Sequence, residues 1–590
     1  MPQGPPAAQR KAGDNRGLPQ PIPYFFRDFG GVNTQAHRTA IRDNEWSWLE
    51  NVMPIGPGTL KTVPAASGTL AALAATPVQS WHMNIDNEEV ELSQCSDGSI
   101  QQTLLTSPYT TTTVAPAGTL SDSGAWAAQW KNTNALFIDP AKGYFSWDGT
   151  TFIANGNAVS IDFLNGGYVP GTGYLVGDVL TLVGGTGAGA QATVTAIDGS
   201  GGVTGADITA LGTGYDANYL SVIATGTGTG AKLYVQIMSG PTAGTSIAVF
   251  QGRAWIAKDR LISFSAPGSF NDFTVADSGG QFTMIDPTLE DTIQALLTAN
   301  NYLYIVGKTG FNVLSDVRVV SGITQFTNVN VEASIGSANQ AAIFPYYRAI
   351  LFMNNTGIYS LLGSTPQKIS DQLDGVVPLI DFTMPVTGGT VSILNILCAA
   401  FCFTYNDPVV GPRQLIAINF ANKWFFASQG NVSAVFSANV GTVQKLYGMI
   451  GANMVQLFQN PDANIDQQWQ TKLWDFGDAI TVKQLIEIGF YATIAPGTVA
   501  TFEVSEDSEF QSNLLTLQSD KTITFVGSSP ITFVGTAPIN WTGSGLIFFD
   551  SDAGQFGAFL GFTFATSSPG LTFIILMFDY LKRTRWGANP

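Results

Sequence analysis

An all-β chain of many short strands is what this sequence predicts, and three observations predict it. The 64 Gly and 38 Phe, with abundant Thr and Val, suit tight turns between pleated strands. Gly supplies positive φ, while aromatic and β-branched side chains pack well on a pleated surface. A strand-turn-strand unit recurs through the middle of the chain, and a Gly/Thr-rich segment repeats itself at an offset of 41 residues. With 590 residues the chain exceeds what one core can serve, so roughly two to four domains are expected.

Residues 1–22 are rich in Pro and Gly and carry Arg10, Lys11 and Arg16 against Asp14. Such a segment buries too little apolar area to offset its ordering entropy, which predicts a disordered or docking arm. Residues 23–76 form an opening motif in which a short helix is expected to carry Asn44, Glu45, Trp46 and Trp48. Hairpin units follow: WHMNIDNEEVELSQCSDGSI (81–100), LFIDPAKGYFSW (136–147), WIAKDRLISFS (255–265), LYIVGKTGFNVL (303–314), ILFMNNTGIYSL (350–361), LIAINFANKWFF (415–426) and LYGMIGANMVQLF (446–458). From 136 onward the starts lie 119, 48, 47, 65 and 31 residues apart, the first gap falling to 46 without the 73-residue insertion described next, and four-stranded propeller blades repeat at roughly 40 to 50 residues. This predicts a β-propeller of about six to eight blades in two parts, 77–165 and 241–468, since radial closure leaves few exposed strand edges. Stacked β-sandwiches are the alternative.

Between those parts, GTGY at 171–174 recurs at 212–215, and GTGAGAQATV at 185–194 recurs as GTGTGAKLYV at 226–235. Residues 166–240 are therefore expected to be an inserted tandem β-repeat domain projecting from one loop. Beyond residue 470 new alternating runs begin, and ITFVG at 523–527 repeats at 531–535, an offset that preserves strand parity. A β-sandwich-like domain over 469–590 is expected, closing on the basic residues Lys582, Arg583 and Arg585.

Only 12% of residues are charged, against roughly 25% in typical soluble proteins. With 45% hydrophobic residues, this composition suits an assembly component whose surface is covered by neighbours, a large monomer being the alternative. The net charge of −17 argues against sequence-independent nucleic-acid binding, which relies on Lys and Arg neutralising phosphates. It is compatible with a wall past which DNA slides. Cys95, Cys398 and Cys402 form no disulfide framework in so long a chain, and Cys398 and Cys402 share one face of an expected strand. The first residues lack the apolar core of a signal peptide, and the longest apolar runs are too short for a transmembrane helix.

Chemical motifs are sparse. The two histidines, His37 and His82, have no spacing suited to a metal site or a catalytic triad. VGKTG at 306–310 mimics the end of a phosphate-binding loop, but Tyr302 stands where its first Gly is needed and a strand follows where a helix is required. GTGAGA at 185–190 fits a dinucleotide pattern formally, yet QATVTAI after it alternates as a strand. Paired carboxylates of a glycosidase would come from Asp286, Glu290 and Asp291 or from Glu503, Glu506, Asp507 and Glu509, but acidic loop residues are more often turn formers. No loop has the oxygen-ligand spacing of a calcium site. Tyr24, Phe25, Phe26, Trp46 and Trp48 lack interleaved Lys and Arg, so packing is expected of them rather than base stacking. No catalytic residue, cofactor or metal is expected.

The segment PYFFRDFGGVNTQAHRTAIRDNEWSWLENVMPIGPGTLKTVP, residues 23–64, combines an aromatic lead into Asp-Phe-Gly-Gly, a Thr-Gln tract, Asn-Glu-Trp, Glu-Asn-Val and a Gly/Pro turn. In this arrangement it resembles the chain opening of tail nozzle (tail tubular or hub) proteins of short-tailed bacteriophages. The resemblance implies a structural protein and not an enzyme, made in the bacterial cytoplasm and built into the virion tail. It implies a homo-oligomer, a hexamer, that contacts the head-to-tail adaptor, tail fibres or spikes and the host envelope. Duplex DNA would pass through its channel without specific binding. Assembly would rest on Phe29, Gly30 and Gly31 for a tight chain entry, and on Asn44, Glu45, Trp46 and Trp48 as an anchored helix. A receptor-binding or polysaccharide-cleaving tail protein is the alternative.

Overall fold

Aromatic and β-branched runs broken by Gly, Asn and Asp turns produce antiparallel hairpins throughout the computed structural model. It describes residues 20–583 apart from 57, 123, 224, 286–288, 290–291, 333, 494–498, 506–511, 519–546 and 553–555. The protein is all-β; short 3₁₀ turns interrupt the strands, and the described residues contain no α-helix. Most of the N-terminal arm, the ITFVG pair, and the acidic residues Asp286, Glu290, Asp291, Glu506, Asp507 and Glu509 lie outside the described residues. Two compact units divide the chain: 66–418 with 428–459, and 1–65 with 419–427 and 460–590.

In the larger unit, strands pair into six four-stranded antiparallel sheets, and a further antiparallel set, opened by Thr387–Ile393 with Ile396–Asp407, belongs to a nine-stranded sheet, which makes seven sets in chain order. Their first strands are Pro77–Ile85, Trp126–Trp130, Ser246–Phe250, Ala295–Ala299, Ile343–Tyr346, Thr387–Ile393 and Ala434–Val440. Each first strand neighbours that of the next sheet, and the seventh returns to the first. The seventh sheet takes its outermost strand from far upstream: Ala71–Ala72 pairs with Asn453–Gln456. The VGKTG string is the turn joining Tyr302–Val306 to Phe311–Val320, closed by Gly307 N–H donating to Gly310 O at 2.9 Å.

The seams between sheets are apolar. Trp81 and Leu92 of the first sheet meet Phe137 and Trp147 of the second. Trp255 and Phe264 of the third meet Leu303 and Ile305 of the fourth. Cys95 and Leu105 meet Phe436 and Tyr447 where the seventh sheet adjoins the first. All three cysteines are buried and free. At roughly 25 cal/mol per Å² of apolar surface, such seams supply most of the drive for the sheets to associate.

Between the second and third sheets stands the repeat. Its six-stranded sheet runs from Ala158–Asp162 through Lys232–Ile237, Tyr219–Ile223, Val179–Val183 and Ala188–Ile197 to Val203–Thr213. The two outer strands also lie against each other, so the sheet nearly closes on itself. It begins at Ala158 rather than at 166, because Ala158–Asp162 pairs with the far end of the repeat. The two copies interlock. Tyr215 covers Gly187, where an added Cβ would stand 2.6 Å from the ring, and Tyr174 covers Gly228 in the same way at 2.5 Å. The Ala190 and Ala231 N–H groups donate to the Tyr215 and Tyr174 hydroxyls at 3.3 and 3.4 Å.

The smaller unit joins both ends of the chain. Thr572–Arg583 pairs with Ile22–Phe26, Thr59–Thr62 and Val482–Thr493. A second sheet contains Trp46–Glu50, Gln467–Thr471, Gly561–Thr566 and Val499–Ser505. An aromatic layer lies between them: the Trp469 and Phe564 rings sit 5.6 and 5.0 Å from Phe573, and Phe490 lies 5.4 Å from Phe564. The opening motif and the C-terminal strands thus belong to one unit, whereas local patterning had separated 23–76 from 469–590. Pairing across more than 400 residues leaves no local mark in sequence.

Candidate functional site

The opening motif corrects one expectation at once. Trp46–Glu50 is a β-strand, not a helix, and it pairs antiparallel with Gln467–Thr471. Tertiary pairing overrides a run too short for its own periodicity to decide. A register shift between Trp46 and Trp48 sends the two indoles into different surroundings. Trp46 is fully buried against Phe26 and Phe29, at ring distances of 5.0 and 5.1 Å. Trp48 is half-buried, stacks on Phe426 at 4.7 Å and donates its indole N–H to Glu50 Oε2 at 3.0 Å.

The other residues of the motif form the entry to this strand. Phe29 is fully buried. Gly30 and Gly31 are required by close approach: a Cβ on Gly30 would stand 2.7 Å from Asn44 O, and one on Gly31 2.8 Å from Trp424 N. Gly30 N–H donates to Asn44 O at 2.6 Å, and Val32 N–H to Trp424 O at 2.8 Å. Glu45 is buried and accepts from Asn33 Nδ2 at 2.6 Å and Arg42 N–H at 3.0 Å; Asn44 Nδ2 donates to Asp28 at 3.3 Å. The structure therefore brings Phe29, Gly30, Gly31, Asn44, Glu45 and Trp46 together inside the chain's own smaller unit.

Two cations complete this knot and carry no sequence signal. Arg38, buried, donates to Thr471 O at 2.6 Å, Ser505 Oγ at 3.1 Å and Phe562 O at 3.3 Å. Lys423 donates to Phe29 O at 2.6 Å and Gly56 O at 2.9 Å, and burial lowers its ammonium pKa against a smaller opposing pull from Asp28. Both spend their charge on carbonyls that strand pairing leaves over. His37 bonds Thr39, and His82 bonds Glu89, so each histidine has a local partner.

The larger unit holds a cavity of about 360 Å³ lined by five of the seven first strands. Trp81 and His82 come from the first, Trp126 and Gln129 from the second, Phe344 from the fifth, Thr390 from the sixth and Ser437 from the seventh. Gly388 and Gly389 let the sixth strand approach: a Cβ there would meet Phe344 at 2.5 Å and the Ser437 hydroxyl still closer. Beside the cavity, the first sheet turns a polar face inward. Glu91 is fully buried there with Ser93, Ser80 and Thr103, and desolvation pushes its carboxyl up to about 7 despite those hydroxyl groups. Trp81, His82, Glu91 and Ser93 fall within the hairpin string 81–100, but the lining as a whole has no motif, since five separate strands contribute three to five residues each. Among the described residues no group of His, Cys, Asp and Glu is arranged to hold a metal, and no helix is long and apolar enough to cross a membrane.

No family model and no curated protein matches the chain. Among solved structures, the crystal structure of AofleA from Arthrobotrys oligospora is similar over 70% of this chain and 87% of its own, at 10% identity and a TM-score of 0.26.

Proposed function

We propose that the chain is a structural subunit of the tail nozzle of a short-tailed bacteriophage, assembled as a ring of six and enclosing the channel that retains and then conducts DNA. The observation that carries this reading is the opening segment, 23–64, with its Asp-Phe-Gly-Gly and Asn-Glu-Trp elements. Its residues hold the chain start against the C-terminal strands, as a rigid machine part requires. The larger unit is read as a seven-bladed β-propeller. The cyclic order of its first strands and the strand that Ala71–Ala72 lends to the last sheet support this, since closure of this kind removes free edges. The smaller unit is read as β-sandwich-like, supported by its aromatic layer between two sheets.

In this reading the protein performs no catalysis. Packed subunits, contacting the adaptor above, fibres or spikes beside them and the host envelope below, present DNA with a wall that lacks a dense set of Lys and Arg partners. The chain's net charge of −17 supports this, because phosphate binding needs fixed cations. The test is a binding and cleavage assay on the full chain with linear duplex DNA and bacterial polysaccharide. No retention of DNA at physiological salt and no release of oligosaccharides are expected; tight, salt-sensitive DNA binding or steady polysaccharide cleavage overturns the reading.

A further inference from the structure

The cavity of the larger unit differs chemically from the chain around it. The protein has 43 acidic and 26 basic residues, yet the described lining includes no Asp, Glu, Lys or Arg. Its one titratable side chain, His82, is held by Glu89 at 2.5 Å. A site without fixed charge gives no net attraction to phosphate, nucleic acid or metal cations, whose desolvation would go uncompensated.

What the lining offers instead is apolar surface with neutral hydrogen-bonding groups around it. The Trp81 and Trp126 rings stand edge to face with centroids 6.3 Å apart, and Phe344 and Phe436 add further aromatic surface. Gln129 is committed to the Asn84 backbone, and Ser437 to Thr390. Gln79 and Gln444, half-exposed, make no side-chain hydrogen bond among the described residues, which leaves two amides able both to donate and to accept. At about 360 Å³ the cavity falls within the roughly 300 to 1,000 Å³ of small-ligand sites.

We infer that this cavity binds one neutral sugar ring of hexose size. The C–H face of the ring lies against the aromatic side chains, and its hydroxyls bond the Gln79 and Gln444 amides. The inference rests on the lining alone and stands or falls separately from the nozzle reading. Its ligand is either a free sugar or a sugar of a cell-surface glycan.

The experiment is saturation-transfer NMR and tryptophan fluorescence on the full chain with glucose, galactose and N-acetylglucosamine, and in parallel with bacterial lipopolysaccharide and capsular polysaccharide. Saturable binding of at least one sugar is expected, weakened tenfold or more in the Q79A/Q444A double variant while its circular dichroism is unchanged. Polymer binding that free sugar displaces and the variant loses assigns the natural source to a surface glycan; binding of free sugars without the polymers assigns it to a free sugar. Absence of saturable binding by any probe, binding that the double variant retains, or variant-sensitive binding of inorganic phosphate overturns the proposal.

Discussion

The two units of this protein solve the same problem, closing β-sheets, by opposite routes. In the larger unit nearly every strand pairs with the strand before or after it, so five of its six four-stranded sheets are complete within a few tens of residues, and the sixth borrows only Ala71–Ala72 from afar. In the smaller unit one strand, Thr572–Arg583, pairs with segments beginning at Ile22, Thr59 and Val482. The first route builds from local contacts whose loop-closure cost is low; the second must bring distant segments together before any pairing is gained. The larger unit should therefore tolerate local damage, while the smaller one should fail as a whole.

Truncation before Leu571 breaks the comparison most severely. Without Thr572–Arg583 the smaller unit loses its central strand, whereas the larger keeps every sheet. Calorimetry of the truncated chain should lose one transition and retain another; loss of both would make the larger unit dependent on the smaller. Trp46→Ala acts next most strongly, since removing a fully buried Trp costs about 3 to 5 kcal/mol. In a urea titration the smaller unit should unfold earlier with the larger unchanged, and Trp48→Ala, at a half-buried site, should do less. Equal effects of the two would sink the assignment of Trp46 as the core member.

Glu91 sharpens the comparison from the other side, because it lies in the larger unit. Burial pushes its carboxyl up to about 7, from about 4.5 for an exposed glutamate. The folded state holds the proton longer, so the stabilisation is complete below about pH 4.5 and is lost as pH rises through 7. The difference amounts to about 3 kcal/mol. Stability of the larger unit should fall between about pH 4.5 and 7, as measured by denaturant unfolding, and Glu91→Gln should flatten that fall; a pH-independent wild type contradicts it.

The smallest effect is expected from removing the repeat. Gly156 N–H donates to Met238 O, and Met238 N–H donates to Asn157 O, each at 2.8 Å, so the chain ends flanking the insertion are already joined. Deleting Ala158–Ile237 with a short Gly linker should leave the melting temperature of the remainder within a few degrees. An unfolded product would show that the repeat supports its neighbours.

This contrast also governs what could be read from the sequence. Hairpins such as 303–314 and 350–361 were legible because turn residues and both strands sit side by side. The repeat was legible through its self-match, although its first strand, Ala158–Asp162, lies outside the repeated strings. The strand at Trp46 was mistaken for a helix because its partner, Gln467–Thr471, is remote. Arg38 and Lys423 were missed for the same reason, as their carbonyl acceptors include some reached only through long-range folding. The cavity, gathered from the first strands of five sheets together with Gln444 and the turn at Gln340, has no contiguous signature.

The proposed nozzle reading makes this chain the repeating subunit of a six-membered ring. It is tested most directly by electron microscopy of the purified full-length protein, averaged without imposed symmetry. The account predicts rings with six-fold rotational symmetry around an open channel. Single particles without a channel, or three-fold elongated fibres, would contradict it.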